Sequence, residues 1–450
     1  MEYVRKKVGF TMKKGNPWAL LPIAVFLALF IAVGIIDNRM GGMFGDSLPA
    51  IVGFLIALIV AFLQNPKGTK LTFEEKLNTM ARGAGEENIM IMCLVFILAG
   101  AFSASVKAAG GADATVNFGL SILPGNVAVV GVFIIGCFIS TSMGTSVGTI
   151  VALAPIAIGI SEKTGISMAL CIGAAVCGAM FGDNLSMISD TTIAATRTQG
   201  CAMKDKFREN FKIALPAAIV TAIIFFVSTM GTNYAPSEEL TYNVVRIIPY
   251  LVVLIGALVG LNVFLLLVGG TVLSLAIGIA YGDFGLLDTF KIMGDGIMSM
   301  YDITVISILV AGVVSLVRQN GGIDWILYVI RRCIHGKKGA EIGIAALSSV
   351  VDCSTANNTV AIVIAGPIAK EIAEDYDISP KRTASLLDIF TSTFQGIIPY
   401  GAQLLYAAAA TEMATQKISS VQIVPYCYYP ILLGVSALLF IIFGKETAKK

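Results

Sequence analysis

Asp183 follows a run of nineteen residues, Thr164 to Gly182, that carries no charge, and it opens the segment DNLSMISDTT. Within ten residues Asp183, Asn184, Ser186, Ser189, Asp190, Thr191 and Thr192 offer carboxylate, amide and hydroxyl oxygens. Such oxygens are the ligands that hard cations take, and by analogy they suit sodium, with Asp183 as the expected ligand. A carboxylate withdrawn from water also carries a proton, which a bound cation displaces. Sodium and proton then compete for one group, and exchange of one for the other needs no more. A plainer reading stands beside this one: Asp183 could cap a helix starting at Asn184, and Ser189 or Asp190 the helix after it.

Three further polar interruptions pair with this region. STSMGTSVGT at 140–149 lies 212 residues before DCSTANNTVA at 352–361, and the same offset lays FQGIIPYGAQ at 394–403 within the segment at 181–192. Gly396, Pro399 and Gly401 make a continuous helix costly, although the apolar sequence resumes at once. The first-half break has its counterparts in Ser142, Gly144 and Thr145. Freed backbone groups at membrane depth survive only inside protein or beside a wet cavity. Second-half candidates for the same site are Asp352, Asn357, Asn358, Asp388 and Gln395, with Asp388 also readable as an acid at the edge of a span. No Lys or Arg is expected deep in a span.

Other chemistries find little support. GTSVG at 144–148 fits the G-x-S-x-G nucleophile pattern, but a serine needs a base, and the one histidine, His335, lies in the basic stretch RRCIHGKK. Small residues at helix contacts account for the spacing better. Neither a zinc H-E-x-x-H nor a phosphate-binding G-x-x-x-x-G-K-[ST] occurs, so an enzyme or an ATP-driven pump is not expected. The eight cysteines form no C-x-x-C pair and read as small buried hydrophobes. No cofactor is implied beyond sodium as coupling ion or substrate.

The elements that must position these groups are membrane helices. Of the 450 residues 56% are hydrophobic and 13% charged, against about a quarter charged in soluble domains. Charge-free stretches of spanning length recur from Trp18–Ile36 to Ile418–Gly444, each near or above the roughly 20 residues a crossing needs. A net charge of +2 does not suggest nucleic acid. Alternate connections hold five, four, five, four and three basic residues, and the intervening ones hold one each. Positive charge is retained inside, so both termini are expected in the cytoplasm and the chain in the cytoplasmic membrane. Pro155 meets Pro367 and Ile166-Ser167 meets Ile378-Ser379 at the same offset of 212. The charge pattern puts an odd number of crossings between matching positions, so the halves are expected to be inverted. The expected fold is thus an all-α polytopic membrane protein with two inverted repeats of about seven segments, broken helices and re-entrant hairpins. Its divisions are a cytoplasmic segment at 1–17, a first repeat at 18–230, a second at 243–444 and a tail at 445–450. Such repeats are a construction of secondary transporters, although channels use them too.

GDNLSMISDTT resembles the G-D-x-x-S-P-x-S-D-T-T element of NhaC-type sodium/proton antiporters, and STSMGTSVGTI is similar to that family's G-T-S-x-G-T segment. Asp183, Asn184, Ser186, Ser189, Asp190, Thr191 and Thr192 match the element position by position, with Met187 in place of its proline. The resemblance runs from about Phe73 to the last span and implies broken helices meeting at a central cation site. Relatives in the wider family move malate, lactate or amino acids with sodium or protons. The leading expectation is sodium/proton exchange by alternating access. The alternative is a sodium- or proton-coupled carrier of a small carboxylate or amino acid. Expected partners are Na+, H+ and the lipid bilayer, with a small organic solute and a homodimer left open.

Overall fold

The computed structural model describes residues 15–39, 48–66, 68–122, 125–187, 189–231, 241–259, 261–334 and 336–444. Residues 1–14 of the expected cytoplasmic segment, His335 and the tail at 445–450 lie outside that set. Among the described residues the chain is helical and has no β-strand. The first half runs α1 (Leu21–Arg39), α2 (Ala50–Leu63), α3 (Phe73–Ala84), α4 (Glu87–Ala108), α5 (Gly111–Ile122), α6 (Gly125–Met143), α7 (Ser146–Thr164), α8 (Met168–Leu185), α9 (Asp190–Gln199) and α10 (Met203–Thr229). The second runs α11 (Val244–Leu258), α12 (Val263–Tyr281), α13 (Asp288–Ser299), α14 (Tyr301–Gln319), α15 (Gly322–Cys333), α16 (Gly336–Thr355), α17 (Asn358–Asp375), α18 (Pro380–Gln395), α19 (Ala402–Ala409), α20 (Ser420–Ile423) and α21 (Tyr428–Phe443).

Helix starts recur at the spacing of the sequence motifs. Helices α7, α8 and α9 begin at Ser146, Met168 and Asp190, and α17, α18 and α19 begin at Asn358, Pro380 and Ala402, each 212 residues later. The breaks match in detail. Thr145 caps α7 by accepting from the Gly148 amide, and Asn357 caps α17 by accepting from the Val360 amide. A polar side chain at that position satisfies one of the amides that every helix start leaves open. Before each cap the chain turns through the left-handed region, at Gly144 with φ 70° and at Ala356 with φ 49°. Glycine is free to do this, whereas alanine is strained by roughly 1–2 kcal/mol. The strained turn is held in place, because the Ala356 carbonyl accepts from Gln395 Nε2 at 3.1 Å.

Among the described residues six helices are long and apolar enough to cross a membrane, or seven if the pair Ser420–Tyr426 and Tyr428–Phe443, bent by 52°, counts as one. That is fewer than the charge-free stretches suggest. Several of those stretches hold shorter apolar helices, such as Ile51–Leu63 and Val244–Gly256. The long run from Gly125 is cut at residues 144–145 into α6 and α7.

Burial separates a core helix from lipid-facing ones. Helix α8 is buried along nearly its whole length, as expected of a segment apolar on every side. It packs closely on α6 through glycine: a Cβ at Gly178 would strike the Phe133 carbonyl and the Gly136 Cα, and one at Gly182 would strike Ser140 and the Thr141 amide. Small residues let helix backbones approach where lipid supplies no hydrophobic drive. By contrast α10 leaves Ile219, Val220, Ile223 and Val227 exposed, and α21 leaves Val435, Leu438 and Leu439 exposed, an outward apolar surface suited to lipid. The most buried helix therefore carries Asp183 in its last turn.

Candidate functional site

Asp183 lies in the last turn of α8 and its side chain is buried. Its Oδ2 accepts from Ser146 Oγ at 3.1 Å and from Asn358 Nδ2 at 3.5 Å. Ser146 and Asn358 are the first residues of α7 and α17, so two helix N-termini meet at one carboxylate. Those ends carry partial positive charge from their free amides. Ser146 Oγ also accepts from Gln403 Nε2 at 3.0 Å, and Gln403 Oε1 accepts from Gln395 Nε2 at 2.6 Å. A chain of hydrogen bonds thus runs from the first break to the second.

These groups line a cavity of about 370 Å³. From the first half come Gly144, Thr145, Ser146, Asp183, Asp190 and Thr191; from the second come Asn357, Asn358, Thr359, Gln395 and Gln403. Ile91, Met92 and Val95 of α4, with Phe264 of α12, supply an apolar side. A neighbouring cavity of about 240 Å³ shares Met92, Asn357, Thr359 and Ala402 with it.

The family model for the Na+/H+ antiporter family matches residues 11–230 and 232–445. The chain belongs to that family. It is similar to the malate-2H(+)/Na(+)-lactate antiporter of Bacillus subtilis, 23% identical over 433 residues that cover 88% of this chain and 89% of that protein. The Na(+)/H(+) antiporter NhaC of the same organism is 23% identical over 80% of this chain and 84% of its own length. An arginine/ornithine antiporter of Halobacterium salinarum is 22% identical over 95% of this chain and 91% of that protein. The crystal structure of the Alcanivorax borkumensis YdaH transporter aligns over 95% of this chain and 99% of that one, at 13% identity and a TM-score of 0.41. This member of the antiporter family is a multi-pass membrane protein, and its family and relatives are transporters, not enzymes.

Not every expected residue of this antiporter faces the cavity. Ser189 caps α9, accepting from the Thr192 amide at 3.2 Å and donating to the Asp183 carbonyl at 3.2 Å. Capping thus describes Ser189, whereas Asp183 ends a helix and caps none. Thr192 Oγ1 donates to the Ser186 carbonyl at 2.7 Å, closing the break on itself. Asn184 faces away from the cavity, with Oδ1 accepting from Tyr429 OH at 3.1 Å. Ser142 falls in the last turn of α6, and Gly396, Pro399 and Gly401 fall in the link between α18 and α19. Asp352 is buried one turn before the second break, and neither of its carboxyl oxygens has a hydrogen-bond partner.

Asp388 departs from the second of its two readings, that of an acid at a span's edge facing water. It lies within α18, fully buried and not at the edge of a span, and its Oδ2 is 2.7 Å from Lys206 Nζ, whose side chain is 1% exposed. No lysine or arginine is expected deep in a span from the sequence; Lys206 sits in the first turn of α10, near the end of that span, yet it is buried within the protein. Arg382 is buried as well, with a two-pronged ion pair to Glu341 at 3.1 and 3.2 Å. Lys206 was missed because KDKFREN reads as a solvated basic connection, but it belongs to α10. The buried positions of that helix, Lys206, Glu209, Asn210, Ile213, Ala214 and Ala217, follow the spacing of one helical face. Extending the apolar face of ALPAAIV back by two turns would have found Lys206 and Asn210. Gln403 gave less signal, being one amide in YGAQLL. Ser146 was seen only as part of a protease-like pattern, and its hydrogen bond to Asp183 gives it a different place.

Proposed function

We propose that the chain exchanges sodium for protons across the cytoplasmic membrane by alternating access, with the Asp183 carboxylate binding the two in turn. The observation that carries this reading is the position of Asp183 in a cavity that breaks from both halves share. Family membership supports sodium and protons as the ions moved. In this reading the halves at 18–230 and 243–444 are inverted, both termini are cytoplasmic, and the two orientations supply similar energies for the inward-open and outward-open states. Ser146 and Asn358 steady the charged carboxylate, while the hydroxyls of Thr145 and Thr191, the amides of Asn357 and Gln395 and the carboxylate of Asp190 serve the ion as it enters. Sodium displaces the proton on one side and yields to it on the other.

A second reading has its own support. The cavity is within the range of small-molecule sites, about 300–1,000 Å³, and two helix N-termini border it. The names of the relatives include lactate, malate, arginine and ornithine. A small carboxylate or amino acid is therefore the alternative cargo, coupled to sodium or protons.

Proteoliposomes containing a pH-sensitive dye test both readings. A sodium gradient is expected to drive proton movement in the wild type and none in Asp183→Asn, with both proteins eluting as folded species. Unchanged exchange in Asp183→Asn would remove Asp183 from the mechanism. Net uptake of a labelled carboxylate or amino acid under the same gradient would replace the antiporter by the carrier.

A further inference from the structure

Lys206 makes more contacts than an ion pair requires. Its Nζ donates to Asp388 Oδ2 at 2.7 Å, to the Asn184 carbonyl at 3.0 Å and to Thr192 Oγ1 at 2.6 Å. All three ammonium protons are thereby used. The oxygens come from α18, from the end of α8 and from α9, and they comprise a carboxylate, a backbone carbonyl freed by a helix end and a hydroxyl. That mixture is the one oxygen sites for hard cations use. Two more oxygens are buried without a hydrogen-bond partner, Oδ1 of Asp388 itself and Oδ1 of Asn210, which hydrogen-bonds to Asp388. The Asn210 amide already lies against the cluster, with Nδ2 2.7 Å from Asp388 Oδ2 and 3.0 Å from the Asn184 carbonyl. Turning that amide over would present its oxygen instead. The pocket thus holds more acceptors than one ammonium can serve.

We propose that Lys206 is a tethered cation filling an oxygen site that takes a free alkali-metal ion when the ammonium is removed. A simple ion pair between helices explains Asp388 and leaves the surplus oxygens without a reason. The tethered cation explains both, and it has a consequence for the neighbouring site. Asn184, whose carbonyl the lysine holds, directly follows Asp183. With Asp388 balanced internally, Asp183 is the acid at the helix junction whose charge, in the reading proposed above, a mobile sodium or proton balances. The wild-type count of one mobile cation rests on the Asp183 reading proposed above; the oxygen site at Lys206 does not.

Binding of radioactive sodium to the full-length chain in detergent, by equilibrium dialysis, separates the two claims. Wild type is expected to bind one sodium per chain and Lys206→Met two. Asp183→Asn should bind none, and Asp183→Asn combined with Lys206→Met should bind one. Lys206→Met combined with Asp388→Asn removes both charges and is expected to fold and bind no more than the wild type. If Lys206→Met folds only in sodium and not in choline, that dependence itself supports the proposal. A Lys206→Met chain that aggregates in sodium while the double variant with Asp388→Asn stays monodisperse would overturn it, as would a folded one that binds no additional ion. Sodium bound by Lys206→Met but not by the wild type would sink the Asp183 reading and leave this one standing.

Discussion

Ser146→Ala is the sharpest probe of the site, because it changes one hydroxyl and leaves the carboxylate in place. Ser146 Oγ donates to Asp183 Oδ2 at 3.1 Å, and the other donor, Asn358 Nδ2, gives weaker support from 3.5 Å. A hydrogen bond to a charged group contributes about 1.5–3 kcal/mol, which is about tenfold to 150-fold in a binding constant. The variant also strands Gln403 Nε2, which loses its acceptor at 3.0 Å and with it a restraint on the second break. In the proposed mechanism the charged carboxylate is the form that binds sodium, so its loss of support is expected to weaken sodium binding. The assay is sodium-driven proton movement in proteoliposomes at fixed external pH, with sodium varied over several decades. The half-saturating sodium concentration should rise at least about tenfold, and the maximal rate should fall less, since the exchanging group is retained. A half-saturation equal to that of the wild type would refute the assignment of Ser146 as the principal donor to Asp183.

Gly182→Ala is expected to cost about 1–3 kcal/mol of stability by overpacking α8 against Ser140 and the Thr141 amide, read as a lowered melting temperature in detergent; an unchanged melt would mean that the helices can part freely. Arg382→Met leaves Glu341 buried without its bidentate partner and is expected to cost about 3–5 kcal/mol, much of it restored by adding Glu341→Gln. Gln395→Glu keeps shape but cannot donate to Gln403 Oε1 or the Ala356 carbonyl, and each acceptor left unpaired costs about 1–3 kcal/mol. Exchange and melting both at wild-type values would show that the second break does not depend on that amide.

Some of this was legible because it is local. Gly144 with Thr145, and Gly396, Pro399 and Gly401, interrupt apolar sequence with residues that cannot continue or gladly begin a helix, and the helices stop there. The recurrence at 212 residues was legible because Pro155 and Pro367 mark the same turn of two equivalent helices. What escaped depends on partners far apart in the chain. Lys206 meets Asp388 across 182 positions, and nothing in KDKFREN reveals that α8, α9 and α18 close over it. Asp388 looked like the edge of a span because ASLLDIF begins just after charged residues. Arg382 drew no attention for the same reason. A charge near a helix start reads as solvated unless the face on which it lies is followed.

Equivalent frames with unequal chemistry bear most directly on how such a site could work. At the register of Asp183 the second half has Gln395, and at the register of Ser146 it has Asn358. The frame supplies equivalent breaks and two helix N-termini, yet where the first half carries Asp183 in the last turn of α8 the second half ends α18 with an amide. Two acids there would repel each other across a shared cavity, and each would need its own counter-ion. Amides at the second position instead donate, Asn358 to Asp183 and Gln395 to Gln403, so the second half supports the charge of the first. The other deep acid of α18 is the one matched by a lysine. With Asp388 matched in this way, Asp183 is the acid at the junction that donors from both halves hold, and under the proposed mechanism it is there that sodium and a proton compete.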